Sequence, residues 1–106
     1  MKDDRLEVLA KFLEIEGVEA QKKMAIEEMS ELTKELCKSW REKARKNPAE
    51  NEQYIREEIA DVANMVDILK MIYGVEKIEK IQHEKTERGK KIIADGLAEK
   101  NHDAEE

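Results

Sequence analysis

Glu27-Glu28-Met29-Ser30-Glu31-Leu32 sets three carboxylates within five positions of strongly helical sequence, and Glu57-Glu58-Ile59-Ala60-Asp61-Val62 repeats the pattern thirty residues later. Side chains three apart share a helix face, so Glu28 projects with Glu31 and Glu58 with Asp61. Like charges at that spacing destabilise a helix by about 0.2–0.5 kcal/mol per pair. Two such pairs, each beside an apolar stripe, point to something positive between them.

The helical wheel places the acids. At about 100° per residue, Ala25, Met29, Leu32, Leu36 and Trp40 form one apolar stripe, and Ile55, Ile59, Val62, Val66, Leu69 and Tyr73 form another. Each first acid lies roughly 60° from its stripe and each second roughly 120°, on the same side. In the second segment that flanking face continues as Met65, Ile68 and Ile72. A merely solvated edge does not turn apolar one turn later.

Working outward, the 106 residues suffice for one domain with a modest core. Hydrophobic residues make up 40%, aromatic 4% and charged 43%, with a single proline. Glu, Lys, Ala, Leu and Ile at helical spacing make this an all-α chain, a bundle of about four helices. So small a core gains from oligomerisation, which predicts a homodimer at least.

The net charge of -6 argues against nucleic-acid binding, which needs a basic face. It also repels any nucleotide unless a cation intervenes. Cys37 is the one cysteine, so no intrachain disulfide forms, and its place at the edge of an apolar face predicts a buried structural thiol. The N-terminus is charged from Lys2 onward and no apolar run approaches the ~20 residues a bilayer requires. A soluble cytoplasmic protein with no membrane partner is the expectation.

A first helix is predicted from Asp4, with Glu7 at capping-box spacing and Leu6, Leu9, Phe12 and Leu13 turned inward. Gly17 interrupts it. The second runs from Val18 to about Arg45. Asn47-Pro48-Ala49-Glu50 restarts the chain, with Asn as N-cap, Pro in the first turn and an acid behind it. This third helix ends at Tyr73 before Gly74. The fourth starts at Val75 and weakens near Gly89. Residues 1–100 read as one helical domain and 101–106 as a polar acidic tail.

In the fourth helix Ile78, Ile81, Lys85, Arg88 and Ile92 step by threes and fours. Lys85 and Arg88 either lay their stems over apolar surface or enter the acidic pocket, where they would hold phosphate oxygens.

Glu28, Glu31, Glu58 and Asp61 form a hard all-oxygen donor set, which selects Mg²⁺ or Mn²⁺ over zinc or copper. A di-iron bundle needs Glu-x-x-His on two of its helices; His83 does not follow a Glu at that spacing, and the single match, Glu99-x-x-His102, lies at the C-terminal end of the chain, far in sequence from both acidic segments. His83 reads as a surface residue and His102 as part of the tail. Magnesium is seldom caged by protein alone, so a phosphorylated ligand is implied, and hydrolysis of a phosphoanhydride suits the parts. Glu27 and Glu57 read as solvated, Trp40 as packed or buried in a subunit interface, Tyr54 as a surface for a base, and Met24, Met29, Met65 and Met71 as core or interface filling. A non-catalytic helical interaction protein fits the same composition.

Glu28-x-x-Glu31, a spacer and Glu58-x-x-Asp61 resemble the signature of the MazG superfamily of all-α nucleoside triphosphate pyrophosphohydrolases, over about residues 17–88. The resemblance implies that these four acids bind Mg²⁺ and that Lys85-x-x-Arg88 contacts phosphate. It implies cleavage of a nucleoside triphosphate to monophosphate and pyrophosphate by water. It also implies a small helical dimer or tetramer. Phosphoribosyl-ATP pyrophosphohydrolase, which shares fold and chemistry, is the nearest alternative.

Overall fold

The computed structural model describes residues 3–41 and 46–105, the side chains of 98–105 excepted. Its elements are α1 (Arg5–Glu16), α2 (Val18–Lys38), α3 (Pro48–Tyr73) and α4 (Val75–Glu105). No strand occurs among the described residues, in agreement with the all-α reading. The chain divides into two compact units, Met1–Ile72 and Tyr73–Glu106.

In the first unit, α1 and α2 are separated by one residue. Gly17 adopts φ 90° and ψ 164°, a region that residues with a Cβ rarely enter. Its N–H donates to Leu13 O at 2.9 Å and its carbonyl accepts from Gln21 N at 3.2 Å, so it closes one helix and opens the next. The capping box expected at Asp4 and Glu7 does not form: Asp4 makes no side-chain cap bond, and Asp3 Oδ1 accepts from Arg5 N at 2.9 Å instead.

α2 ends at Lys38, short of the expected Arg45. The backbone tightens there to i−3 bonds, Ser39 N to Leu36 O, Trp40 N to Cys37 O and Arg41 N to Lys38 O, while the Ser39 hydroxyl donates to Leu36 O. A serine that takes the carbonyl of the preceding turn competes with helix continuation. Residues 42–45 lie outside the described residues. α3 opens as read from sequence: Pro48 stands in its first turn and Asn47 Nδ2 donates to Glu50 Oε2 at 2.7 Å.

The core of this unit is Leu9 from α1, Ala25 from α2, and Met65 and Ile68 from α3, with Leu13, Leu69, Met71 and Ile72 packed against it. The buried face of α3 is therefore the Met65–Ile68–Ile72 face. The broader stripe expected to be inward leaves Ile59 50% and Val66 42% exposed. On α2 the expected stripe is likewise displaced, with Ala25 buried but Met29, Leu36 and Trp40 exposed. Cys37 is exposed, not buried. The cause is length: α1 has 12 residues, spanning about 18 Å, and covers only the opening turns of α2.

In the second unit Gly74, at φ 107°, separates α3 from α4, and Ile78 N bonds to Gly74 O at 3.1 Å. α4 continues unbroken through Gly89 and Gly96 and over 101–105. Each glycine costs about 1 kcal/mol relative to alanine, which the surrounding Lys, Glu, Ala and Ile offset. None of its described side chains is buried, and Ile81, Ile92, Ile93 and Leu97 are exposed. No helix among the described residues is long and apolar enough to cross a membrane.

Candidate metal centre

The seams that build the core also build the acidic site. On α3, Glu58, Met65 and Ile72 are spaced by sevens, as are Asp61 and Ile68. On α2, Gln21, Ala25 and Glu28 step by four and three. Spacing of this kind keeps residues on one face. Glu28, Glu58 and Asp61 thus occupy positions where a helical pair normally places apolar groups, and where the two helices meet their carboxylates converge.

One oxygen from each of Glu28, Glu58 and Asp61 lies within 4.8 Å of the other two. Glu28 and Glu58 are half-buried and Asp61 is exposed. The ion pairs Arg5–Asp67, Lys11–Glu14, Lys22–Glu19, Lys38–Glu35, Arg56–Glu52 and Lys90–Glu87 leave all three acids out. Glu58 Oε2 is buried without a hydrogen-bond partner. A buried acceptor left unpaired costs about 1–3 kcal/mol, more when charged, so a donor or cation at this point offsets a real penalty.

The Glu28 carboxyl titrates above the ordinary glutamate value. Loss of hydration is the largest cause, followed by the charges of Asp61 and Glu58, a hydrogen bond that protonated Glu28 offers Glu58, and the charge of Glu31. Glu31 itself is exposed and stands outside the group of three, acting on it through its field. Glu27 and Glu57 are exposed, as read from sequence. Lys85, Arg88 and His83 are exposed on α4. The His102 side chain lies outside the described ones.

No family model matches the chain. No curated protein and no solved structure matches it either. The site's chemistry therefore rests on its own geometry and on the motif. Three carboxylates without His or Cys suit a hard divalent ion, and the set by itself does not choose among Mg²⁺, Mn²⁺ and Ca²⁺.

Beside the acids lies a cavity of about 240 Å³ between α1, α2 and α3, into which Glu28 and Asp61 both face. Its lining includes Gln21, only 2% exposed, which hydropathy patterns pass over because the residue is polar. The sole sequence signal for it was position, four residues ahead of Ala25 on the same face. A separate hollow of about 320 Å³ holds Tyr54 with Lys38 and Arg41. There Lys38 is already paired with Glu35 at 3.0 Å, and Glu50 with Asn47. Trp40 is 75% exposed, so it is not packed within this chain, the first of the two places expected for it.

Proposed function

We propose that this chain is a divalent-cation-dependent nucleotide pyrophosphohydrolase of MazG-like kind, converting a nucleoside triphosphate to monophosphate and pyrophosphate. The observation that carries the reading is the convergence of Glu28, Glu58 and Asp61 with Glu58 Oε2 buried and unpaired. Glu28, Glu58 and Asp61 would hold the ion, and the motif adds Glu31, one turn along α2. Mg²⁺, or Mn²⁺ in its place, neutralises phosphate charge and lowers the pKa of bound water. In the reaction the oxygen of water bonds to phosphorus, a bridging P–O bond breaks, pyrophosphate leaves and one proton is released. The acids orient this arrangement, and the motif assigns Lys85 and Arg88, one turn apart on α4, to phosphate contact.

The apolar residues left exposed on α3, Ile59, Val66 and Tyr73 at spacings of seven, support assembly into a homodimer or homotetramer. Pyrophosphate release from the common nucleoside triphosphates, with Mg²⁺ and with chelator, tests the function. Release with metal, lost in Glu58→Gln, supports the enzyme. Turnover confined to phosphoribosyl-ATP would assign the neighbouring activity of the same chemistry, and absence of both metal binding and turnover would leave a helical interaction protein.

A further inference from the structure

The cavity flanked by Glu28 and Asp61 is poorly made for phosphate. No cation lines it, and Glu16 adds a further acid. Its walls are instead largely apolar, built from Leu9, Phe12, Met24, Met65 and Ile68. Phe12 is 49% exposed, an aromatic ring left half open at a cavity of about 240 Å³. Pockets for drug-sized ligands run from about 300 to 1,000 Å³, so this one suits a single ring system and not a whole nucleotide.

Two polar edges are held in place. Gln21, buried among core residues, donates through Nε2 to Glu16 Oε2 at 2.6 Å. A buried amide so engaged fixes the carboxylate, whose second oxygen is left to accept. Asn64 Oδ1 accepts from Arg5 Nη1 at 3.1 Å, and Arg5 also binds Asp67. The Asn64 amide NH₂ is thereby left to donate. Apolar walls, one aromatic face, one fixed acceptor and one amide donor match a flat heterocycle whose edge carries an N–H and an acceptor.

We infer that this cavity receives the base of the substrate, stacked on Phe12 with its edge read by Glu16 and Asn64, while the phosphates lie toward Glu28, Glu58 and Asp61. The inference rests on the pyrophosphohydrolase reading and adds the base-binding residues to it. Gln21 is a positioning residue, acting through Glu16.

The test compares two probes on the full chain with Mn²⁺ present: a non-hydrolysable α,β-methylene nucleoside triphosphate, and inorganic tripolyphosphate, which has no ring. Binding of both, and of Mn²⁺ alone, is measured by calorimetry on the wild type, Phe12→Ala and Glu16→Ala. Both substituted residues are exposed, so thermal midpoints serve to show that the fold persists. The wild type should bind the nucleotide more tightly than tripolyphosphate. Phe12→Ala should weaken nucleotide binding by about fivefold or more, as removal of a stacking platform does, and Glu16→Ala by about tenfold, as loss of a hydrogen bond to a charged group does, with Mn²⁺ and tripolyphosphate affinities unchanged. If Mn²⁺ and tripolyphosphate bind but the ring adds nothing, or if both variants bind nucleotide as the wild type does, the base pocket is refuted and the metal site stands. If Mn²⁺ does not bind, both readings fall.

Discussion

Glu28 and Glu58 oppose each other where α2 meets α3, each placing a carboxylate oxygen within 4.8 Å of the other's and of Asp61's. Glu58 Oε2 is buried there without a hydrogen-bond partner. Such a cluster is relieved either by a proton or by a cation. Which of the two is present should decide how stability depends on pH.

Without divalent ions, stability should fall as pH rises from the ordinary glutamate range through the raised Glu28 value. The folded state holds that proton more tightly than the unfolded chain, so the contribution is complete at low pH and is lost on ionisation. Thermal midpoints recorded against pH in chelator check this, and Glu28→Gln should flatten the slope. Metal affinity should move oppositely, rising with pH as the proton is displaced.

Glu58→Gln should stabilise the metal-free protein modestly, by about 0.5 kcal/mol, because it removes like-charge repulsion. Under saturating Mn²⁺ the order should reverse, since a ligand at 100 times its Kd adds about 2.7 kcal/mol to the form that binds it. Parallel melts of the two proteins with and without metal read the crossover.

Ile68→Ala should cost about 2–5 kcal/mol in denaturant unfolding, as loss of a buried aliphatic side chain does. Ile68 is 1% exposed and belongs to a core of four buried hydrophobic residues, so little else compensates. A loss below about 1 kcal/mol would mean that the α3 face assigned to the core is not the buried one.

Sedimentation at micromolar concentration should show a dimer or larger assembly. Joint replacement of Ile59 and Val66 by Glu should shift it to monomer while helical content is retained, because a charge on a buried apolar stripe is costly. A stable wild-type monomer would contradict the assembly.

Punctuation was the most legible part of the sequence. Gly17, Asn47-Pro48 and Gly74 act through local backbone chemistry, and the helices break where these residues stand. Choosing the inward face was harder. α3 is apolar on two adjoining stripes, and hydropathy favoured Ile59 and Val66, whereas α1 and α2 cover Met65 and Ile68. Helix propensity carries α2 past its observed end because Lys, Glu and Arg beyond Ser39 are good helix formers, and it marks Gly89 as weak because glycine is a poor one, although α4 continues through it. At the site, Glu28, Glu58 and Asp61 were readable from the pairing of two acidic segments. The placement of Glu31 outside their group was not, since a shared helix face leaves a neighbouring turn free to lean away. Gln21 shows in sequence only through its position ahead of Ala25, and Glu16 not at all, because their significance lies in contact with a cavity.

Titration of Mn²⁺ into the metal-free protein, followed by loss of the free-ion electron paramagnetic resonance signal, addresses the acidic site without requiring turnover. Saturable binding in the wild type that disappears in Glu58→Gln and in Asp61→Asn, with the fold retained, is the predicted result. Unchanged free Mn²⁺ at millimolar protein, or equal uptake by wild type and both variants, would contradict it.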